Sequence, residues 1–302
     1  ITRVIYFASS VWLGVILISL SLLLCFEIVN LISKISFSHS LTNIKSWIVI
    51  LVLIIWICSY AISNWHKIVI KNVDIQIPKL QENFKIAYIS DVHIDTINTI
   101  DYLQQIVDKV NVTDADIVII NWDLIDSTSF AWHEFKVLNN LNKDVYFTFG
   151  NHERYRNKDF IRNLLKDTKV QILENQKITF RWTDIIWLQD INWTDTQDNK
   201  NILDDLLKSM NINRDVANIL VLHEPIWAEV SARSGIDLQV AWHTHDWQVF
   251  PFNLLVRLAF KYVYWLYDVD GMKMYVSCWV GTWWPPMRLG STDEIVVFNL
   301  YK

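Results

Sequence analysis

The chain has 302 residues, 52% of them hydrophobic and 20% charged, with a formal net charge of −5. That length leaves room for a full-sized domain plus a further segment, and the negative balance argues against a nucleic-acid partner, which normally meets a basic face. The cysteines imply no disulfide framework, because Cys25 and Cys58 sit in apolar runs and Cys278 stands alone.

Val4–Phe26 is an apolar run without a charge, closed by Glu27, and Ser46–Ser63 is a second such run. Each is about long enough to cross a bilayer, and a cleaved signal peptide would not explain the second. Residues 1–63 are therefore expected to form a membrane region with two transmembrane helices, which places the chain in the cell membrane as a multi-pass protein. The sequence begins at Ile1 rather than at an initiator Met, so a preceding segment is expected. Arg3 before the first run and Lys67 and Lys71 after the second slightly outweigh Lys34 and Lys45 between them, which favours a cytoplasmic domain without deciding the side.

A polar connector, residues 64–83, leads to a domain over residues 84–302, where strand and helix signals alternate. Lys85–Ser90, Asp116–Asn121 and Asp144–Phe149 read as strands, separated by helical spacing at Ile100, Leu103, Ile106, Val107 and Val110 and at Phe135, Leu138 and Leu141. A third helix follows at Phe160, Ile161, Leu164 and Leu165. The middle turns strand-like at Val170–Leu173, Ile178–Phe180 and Ile185–Leu188, with a helix around Ile202–Met210. Ala217–Leu222, Leu238–Ala241, Lys273–Val276 and Glu294–Leu300 are the remaining predicted strands. The fold class is α/β.

Several of these strands end where a candidate metal ligand begins. Asp91-Val92-His93, Asp123 with Asp126, Gly150-Asn151-His152-Glu153, His223, and His243-Thr244-His245 all follow strand ends. Ligands of α/β sheets collect outside the carboxyl ends of the strands, so residues far apart in sequence are expected to converge on one rim. Their oxygen and nitrogen donors suit hard-to-borderline divalent metals. Two such ions a few Å apart need a bridging carboxylate and two sets of terminal ligands; Asp123 is the natural bridge. Singly, each residue has an ordinary alternative: Asp91, Asp123 or Asp126 as a helix cap, His223 and Asn151 as turn residues. Their joint order carries the reading. His66 and His133 lie outside any cluster and are read as ordinary.

Asp-x-His, Asp-x-x-Asp, Gly-Asn-His-Glu, His and His-x-His, in that order, resemble the calcineurin-like metallophosphoesterases over about Phe84–Lys302, and the two apolar runs are similar to the membrane-anchored bacterial branch. The resemblance implies a four-layer αββα sandwich preceded by two transmembrane helices. It implies two divalent metal ions (Mn, Fe or Zn), one held by Asp91, His93, Asp123 and His245, the other by Asp123, Asn151, His223 and His243. His152 would be the catalytic histidine, acting on the leaving group, and Arg288 a substrate-side phosphate cation. The implied activity is hydrolysis of phosphoester or pyrophosphate bonds of a phosphorylated small-molecule or lipid-linked substrate. A catalytically degenerate, membrane-tethered binding domain is the alternative; a protein phosphatase is disfavoured by the membrane context.

One departure from the family pattern stands out. Trp122 and Trp242 occupy places where that pattern has glycine, as do Trp247, Trp265, Trp279 and Trp284, and the chain holds 16 Trp against 6 Gly, where Gly alone averages about 7% of residues. Glycine beside a metal ligand serves positive φ or close backbone approach, so indoles at these points are expected to clash with the ligand loops. A gene that reads UGA as glycine, translated with UGA read as tryptophan, gives this signature; if the tryptophans are genuine, the metal site itself is in question.

Overall fold

The computed structural model describes residues 2–127, 132–189, 196–242, 248–251, 253–282 and 284–302. Two long helices come first, α1 (Thr2–Phe37) and α2 (Ile44–Asn64). Both are long and apolar enough to cross a membrane, and their side chains remain largely outside any protein core. They pair as an antiparallel hairpin, with Phe26 against Trp47 at one level and Phe7 against Trp65 at another, each at 5.3 Å between ring centroids.

The domain is built on two six-stranded sheets. In chain order the elements are β1 (Val69–Gln76), β2 (Phe84–Ser90), α3 (Ile100–Asn111), β3 (Ile117–Asn121), a 3-10 helix (Trp132–Asn140), β4 (Asp144–Thr148), α4 (Asn151–Arg156), α5 (Lys158–Leu165), β5 (Val170–Ile172), β6 (Gln176–Phe180) and β7 (Thr183–Trp187). After these come α6 (Gln197–Ser209), β8 (Ala217–Val221), α7 (Ala228–Ser234), β9 (Leu238–Ala241), α8 (Asn253–Ala259), β10 (Trp265–Val269), β11 (Met272–Val276) and β12 (Glu294–Tyr301). The first sheet runs β1-β12-β2-β3-β4-β5 and the second β10-β11-β9-β8-β7-β6. The inner strands β2, β3 and β4 are parallel, as are β7, β8 and β9.

The inner strands β3, β7, β8 and β9 are buried along their whole length, and β2 and β4 at all but one residue each, as parallel strands covered on both faces must be. Ile86, Tyr88, Ile117 and Ile119 of the first sheet meet Ile185, Trp187, Ile219 and Val240 of the second in one central core. The alternate residues face outward: Ala87, Ile89, Val118 and Ile120 pack under α3, α5 and the 3-10 helix, and Ile186, Leu220 and Met274 under α6 and α7. The layers are therefore helix, sheet, sheet, helix: the four-layer αββα sandwich.

Two boundaries differ from expectation. The stretch expected to be connector contains β1, which pairs in parallel with β12 along its full length and buries Val73 and Ile75 in the inter-sheet core. The sandwich thus begins at Val69 rather than at residue 84, because a strand that alternates buried with solvated residues at a sheet edge reads locally as polar chain. Of the spacing at Phe135, Leu138 and Leu141, the first two fall in a 3-10 rather than an α-helix, and Leu141 lies just past its end.

Candidate metal centre

The strand ends deliver the predicted donors to one rim. Asp91 and His93 follow β2, Asp123 follows β3, Asn151 and His152 follow β4 at the start of α4, and His223 follows β8. Candidate ligand atoms of Asp91, Asp123 and His223 lie within 4.8 Å of one another, as do those of His93, Asp126 and His152. His223 Nε2 is 2.8 Å from Asn151 Oδ1 and 3.8 Å from Asp123 Oδ2, and His93 Nε2 is 3.9 Å from Asp91 Oδ1. His243 and His245, expected to complete the two ligand sets, lie outside the described residues, as does Trp247.

The backbone is forced into place here. Asp91, His93, Trp122 and Asp123 all sit in the left-handed region, with φ of 49°, 50°, 46° and 48°, a conformation that costs roughly 1–3 kcal/mol per non-glycine residue and gathers at functional sites. Glu153 clamps the loop after β3: its carboxylate accepts hydrogen bonds from the amides of Asp123 (2.8 Å), Leu124 (2.7 Å), Ile125 (3.2 Å) and Gly150 (2.9 Å). Gly150 has to be glycine, since a Cβ there would stand 2.4 Å from Asp123 Oδ1.

Charge sharpens the reading. Asp91 and Asp123 have side chains only 0% and 1% exposed, and neither oxygen of Asp91 has a hydrogen-bond partner of normal geometry among the described residues. Burial pushes the Asp91 carboxyl up, and the charge of Asp123 adds to it; burial likewise raises Asp123, against the opposing charge of His152. Paired buried carboxylates are costly unless a cation lies between them. This donor set fits divalent cations.

Asp126 organises the remaining edge. Its Oδ2 is 3.0 Å from His93 Nδ1 and its Oδ1 is 2.6 Å from His152 Nδ1. Burial lowers the pKa of His93 despite Asp126, which leaves the imidazole neutral, as a metal ligand must be. For His152 the balance is reversed: burial lowers it, but the Asp126 hydrogen bond and the charges of Asp123, Asp126 and Glu153 push it up to about 9. At 20% exposure, His152 is also reachable from solvent, unlike His93 or His223.

A profile of the calcineurin-like phosphoesterases matches residues 84–247. The chain belongs to this family. A metallophosphoesterase of Campylobacter jejuni, itself uncharacterised, is 34% identical over 237 residues, covering 76% of this chain and 63% of that protein. An uncharacterised Helicobacter pylori metallophosphoesterase is 33% identical with the same coverage. A bovine transmembrane protein with a metallophosphoesterase domain is 31% identical over 241 residues, 73% of this chain and 53% of that one. The chain thus spans less than two thirds of the length of these relatives. For the calcineurin-like phosphoesterase described here, family and donor set together imply divalent metal ions, and the two apolar helices point to membrane association.

Arg288 departs from its expected role. It is fully buried, paired with Asp293, and donates to the carbonyls of Cys278, Gly281 and Thr292 and to Ser291 Oγ. A guanidinium spent in this way ties loops together; it does not meet substrate. Asp126 and Glu153 were visible in the motifs, but nothing in their spacing showed that one orients two histidines and the other clamps a loop.

The tryptophans also behave unexpectedly. Trp122, Trp265 and Trp279 have positive φ (46°, 84° and 65°), and so do Trp182 (63°) and Trp227 (53°). Trp242 and Trp284 do not. Trp122 and Trp242 both turn into the inter-sheet core, 4.3 Å apart, with indole N–H groups that find no acceptor among the described residues. Trp122 lies 5.2 Å from the ring of His223.

Proposed function

We propose that the chain is a membrane-anchored, dinuclear-metal phosphoesterase, spanning the cell membrane through α1 and α2. It hydrolyses phosphoester or pyrophosphate bonds of a phosphorylated small-molecule or lipid-linked substrate. The observation that carries this reading is the pair of buried carboxylates, Asp91 and Asp123, within ligand distance of His223. Asp91, His93 and Asp123 would hold one cation and Asp123, Asn151 and His223 the other, with His243 and His245 assigned by family resemblance. Bound there, two divalent ions would supply Lewis acidity and an acidified water.

The chain's own residues do the rest. Asp126 fixes the His152 ring through Nδ1, and His152 serves the leaving oxygen. With its pKa raised, despite burial, by the Asp126 hydrogen bond and the surrounding carboxylates, His152 donates a proton as the ester bond breaks. Glu153 keeps the Asp123 loop from relaxing.

The test is Mn²⁺-dependent hydrolysis of bis-p-nitrophenyl phosphate by the full chain in detergent. Activity that falls to background in Asp123→Asn is expected. Activity that survives this change would sink the reading.

The binding-domain alternative draws on one observation: indoles at 122 and 242 pack beside His223. A chain that binds Mn²⁺ yet hydrolyses nothing would favour it.

A further inference from the structure

The first turns of α1 do not run clear of the domain. A cavity of about 490 Å³ opens beside the metal centre, bordered by Asp95, Asp126, Ser127 and Arg156 from the domain and by Tyr6 from α1. Asp126 is the residue that holds His93 and His152, so this cavity adjoins the catalytic edge. A neighbouring space of about 360 Å³ shares Asp95 and Ser127 and is bordered by Arg3 together with the carboxylates of Asp101 and Glu134.

The hairpin is locked in this position. The amide of Arg288 donates to the carbonyl of Ala61 in α2 at 2.8 Å, and Met287 packs with Ile18, Cys58 and Ala61. Phe7 rests on Trp65, Trp65 on His66, and His66 on Tyr102 of α3. His66 Nε2 meets Asn98 Oδ1 at 2.9 Å, and the Asn98 amide donates to the carbonyls of Val92 and His93.

One helical turn therefore faces two media. Val4 and Ile5 are 70% and 60% exposed, which suits acyl chains, while Tyr6 from the same turn borders the polar cavity. An aromatic ring with a polar tip suits the headgroup level of a bilayer. Arg3 and Arg156 put two cations at the rim, the residue type best fitted to phosphate oxygens.

From this juxtaposition we infer that the substrate is a phosphate ester or pyrophosphate carried by a membrane lipid. It enters along the first turns of α1, its acyl chains against Val4 and Ile5 and its phosphate between Arg3, Arg156 and the metal centre. Tyr6 positions the headgroup; it is not a catalytic residue. In the hydrolysis, water's oxygen forms the new P–O bond and its proton passes to solvent; the P–O bond on the lipid side breaks, and the leaving oxygen takes the proton from His152, departing as an alcohol from an ester or as a lipid phosphate from a pyrophosphate. The inference rests on the membrane-anchored phosphoesterase reading above.

The test uses the full chain in nanodiscs with Mn²⁺ and two probes sharing one headgroup, dioctanoyl phosphatidate and glycerol 3-phosphate. Binding and phosphate release are both measured. The lipid probe is expected to bind at least tenfold more tightly, and Tyr6→Ala to cut that preference about tenfold, with Tyr6→Phe retaining most of it. Equal binding of the two probes, or a preference that Tyr6→Ala leaves intact, overturns the inference. A Tyr6-dependent preference without phosphate release upholds the inference and removes the hydrolase reading. Release from both probes at equal kcat/KM removes the inference and upholds hydrolysis.

Discussion

Trp182 occupies in one hairpin the place that Gly271 occupies in another. Phe180 pairs with Thr183 across β6–β7 and Val269 with Met272 across β10–β11, so each turn has two central residues. Their φ values are 45° and 63° at Arg181 and Trp182, and 51° and 85° at Asp270 and Gly271. Two-residue turns with both φ positive favour Asn-Gly or Asp-Gly. The second hairpin obeys this rule; the first closes on a solvent-facing indole. A left-handed L-residue costs roughly 1–2 kcal/mol, partly offset by the greater chain entropy that glycine loses on folding. Trp182→Gly should therefore stabilise the domain by about 1 kcal/mol, raising Tm by roughly 2–4 °C, measured by thermal denaturation in detergent. A lower Tm would count against glycine as the residue this backbone was built for.

The same reasoning at Trp122 calls for a different readout. Its φ of 46° asks for glycine, yet the indole fills core volume beside Trp242, so stability alone would mix relieved strain with lost packing. Metal-dependent turnover separates them. The double change Trp122→Gly, Trp242→Gly is expected to raise Mn²⁺-dependent hydrolysis at least tenfold over the chain with both indoles. The gene is expected to carry UGA at both codons; UGG there would establish the tryptophans as genuine and leave only the steric question.

What the sequence made legible follows from what is local. Continuous apolar runs bounded by Asp, such as Ile117–Asn121, declare buried strands, and a ligand directly after a strand end declares the rim. β1 was hidden because its pattern is interrupted by Lys71, Asn72 and Asp74 and its partner β12 lies at the far end of the chain. Arg288 was misread because nothing near it in sequence tells a surface cation from one buried on Asp293 and three carbonyls. His66, outside every motif, is held by residues that only the folded chain brings near: Asn98 and Tyr102.

Asp126 acts through two histidines, so its loss should be seen in two measurements. Residues that orient metal ligands from behind typically alter metal affinity or activity by about 10–100-fold. Asp126→Asn is expected to raise the Mn²⁺ concentration for half-maximal hydrolysis by that factor. It should also move the alkaline limb of the pH–rate profile to lower pH. The acid form of His152 is the working one, so rate falls as pH rises through its pKa; without the Asp126 charge that pKa drops and the fall comes earlier. Asp126→Glu, which keeps the charge, should shift the limb less. An unmoved limb with weakened metal binding would confine Asp126 to the His93 side.

His66 links the membrane hairpin to the ligand loop and should make the link sensitive to acid. Its ring stacks on Tyr102 at 3.7 Å, and its pKa falls from 6.5 to about 4, chiefly through burial, with Arg288 adding to the lowering and the Asn98 hydrogen bond opposing it. The folded chain keeps this imidazole neutral, whereas the unfolded chain takes up a proton below about pH 6.5. Between those two values the unfolded state binds more protons, so stability falls as pH falls through that window and is complete above it. From pH 7 to pH 5 the loss from this residue amounts to about 2 kcal/mol. His66→Asn tolerates the left-handed backbone (φ 62°) and keeps an amide donor, but it does not titrate. Its denaturation midpoint should therefore drop less than the wild type's between pH 7 and pH 5, although it starts lower at pH 7. Parallel drops in the two proteins would show that His66 is protonated in the folded chain as readily as in the unfolded one.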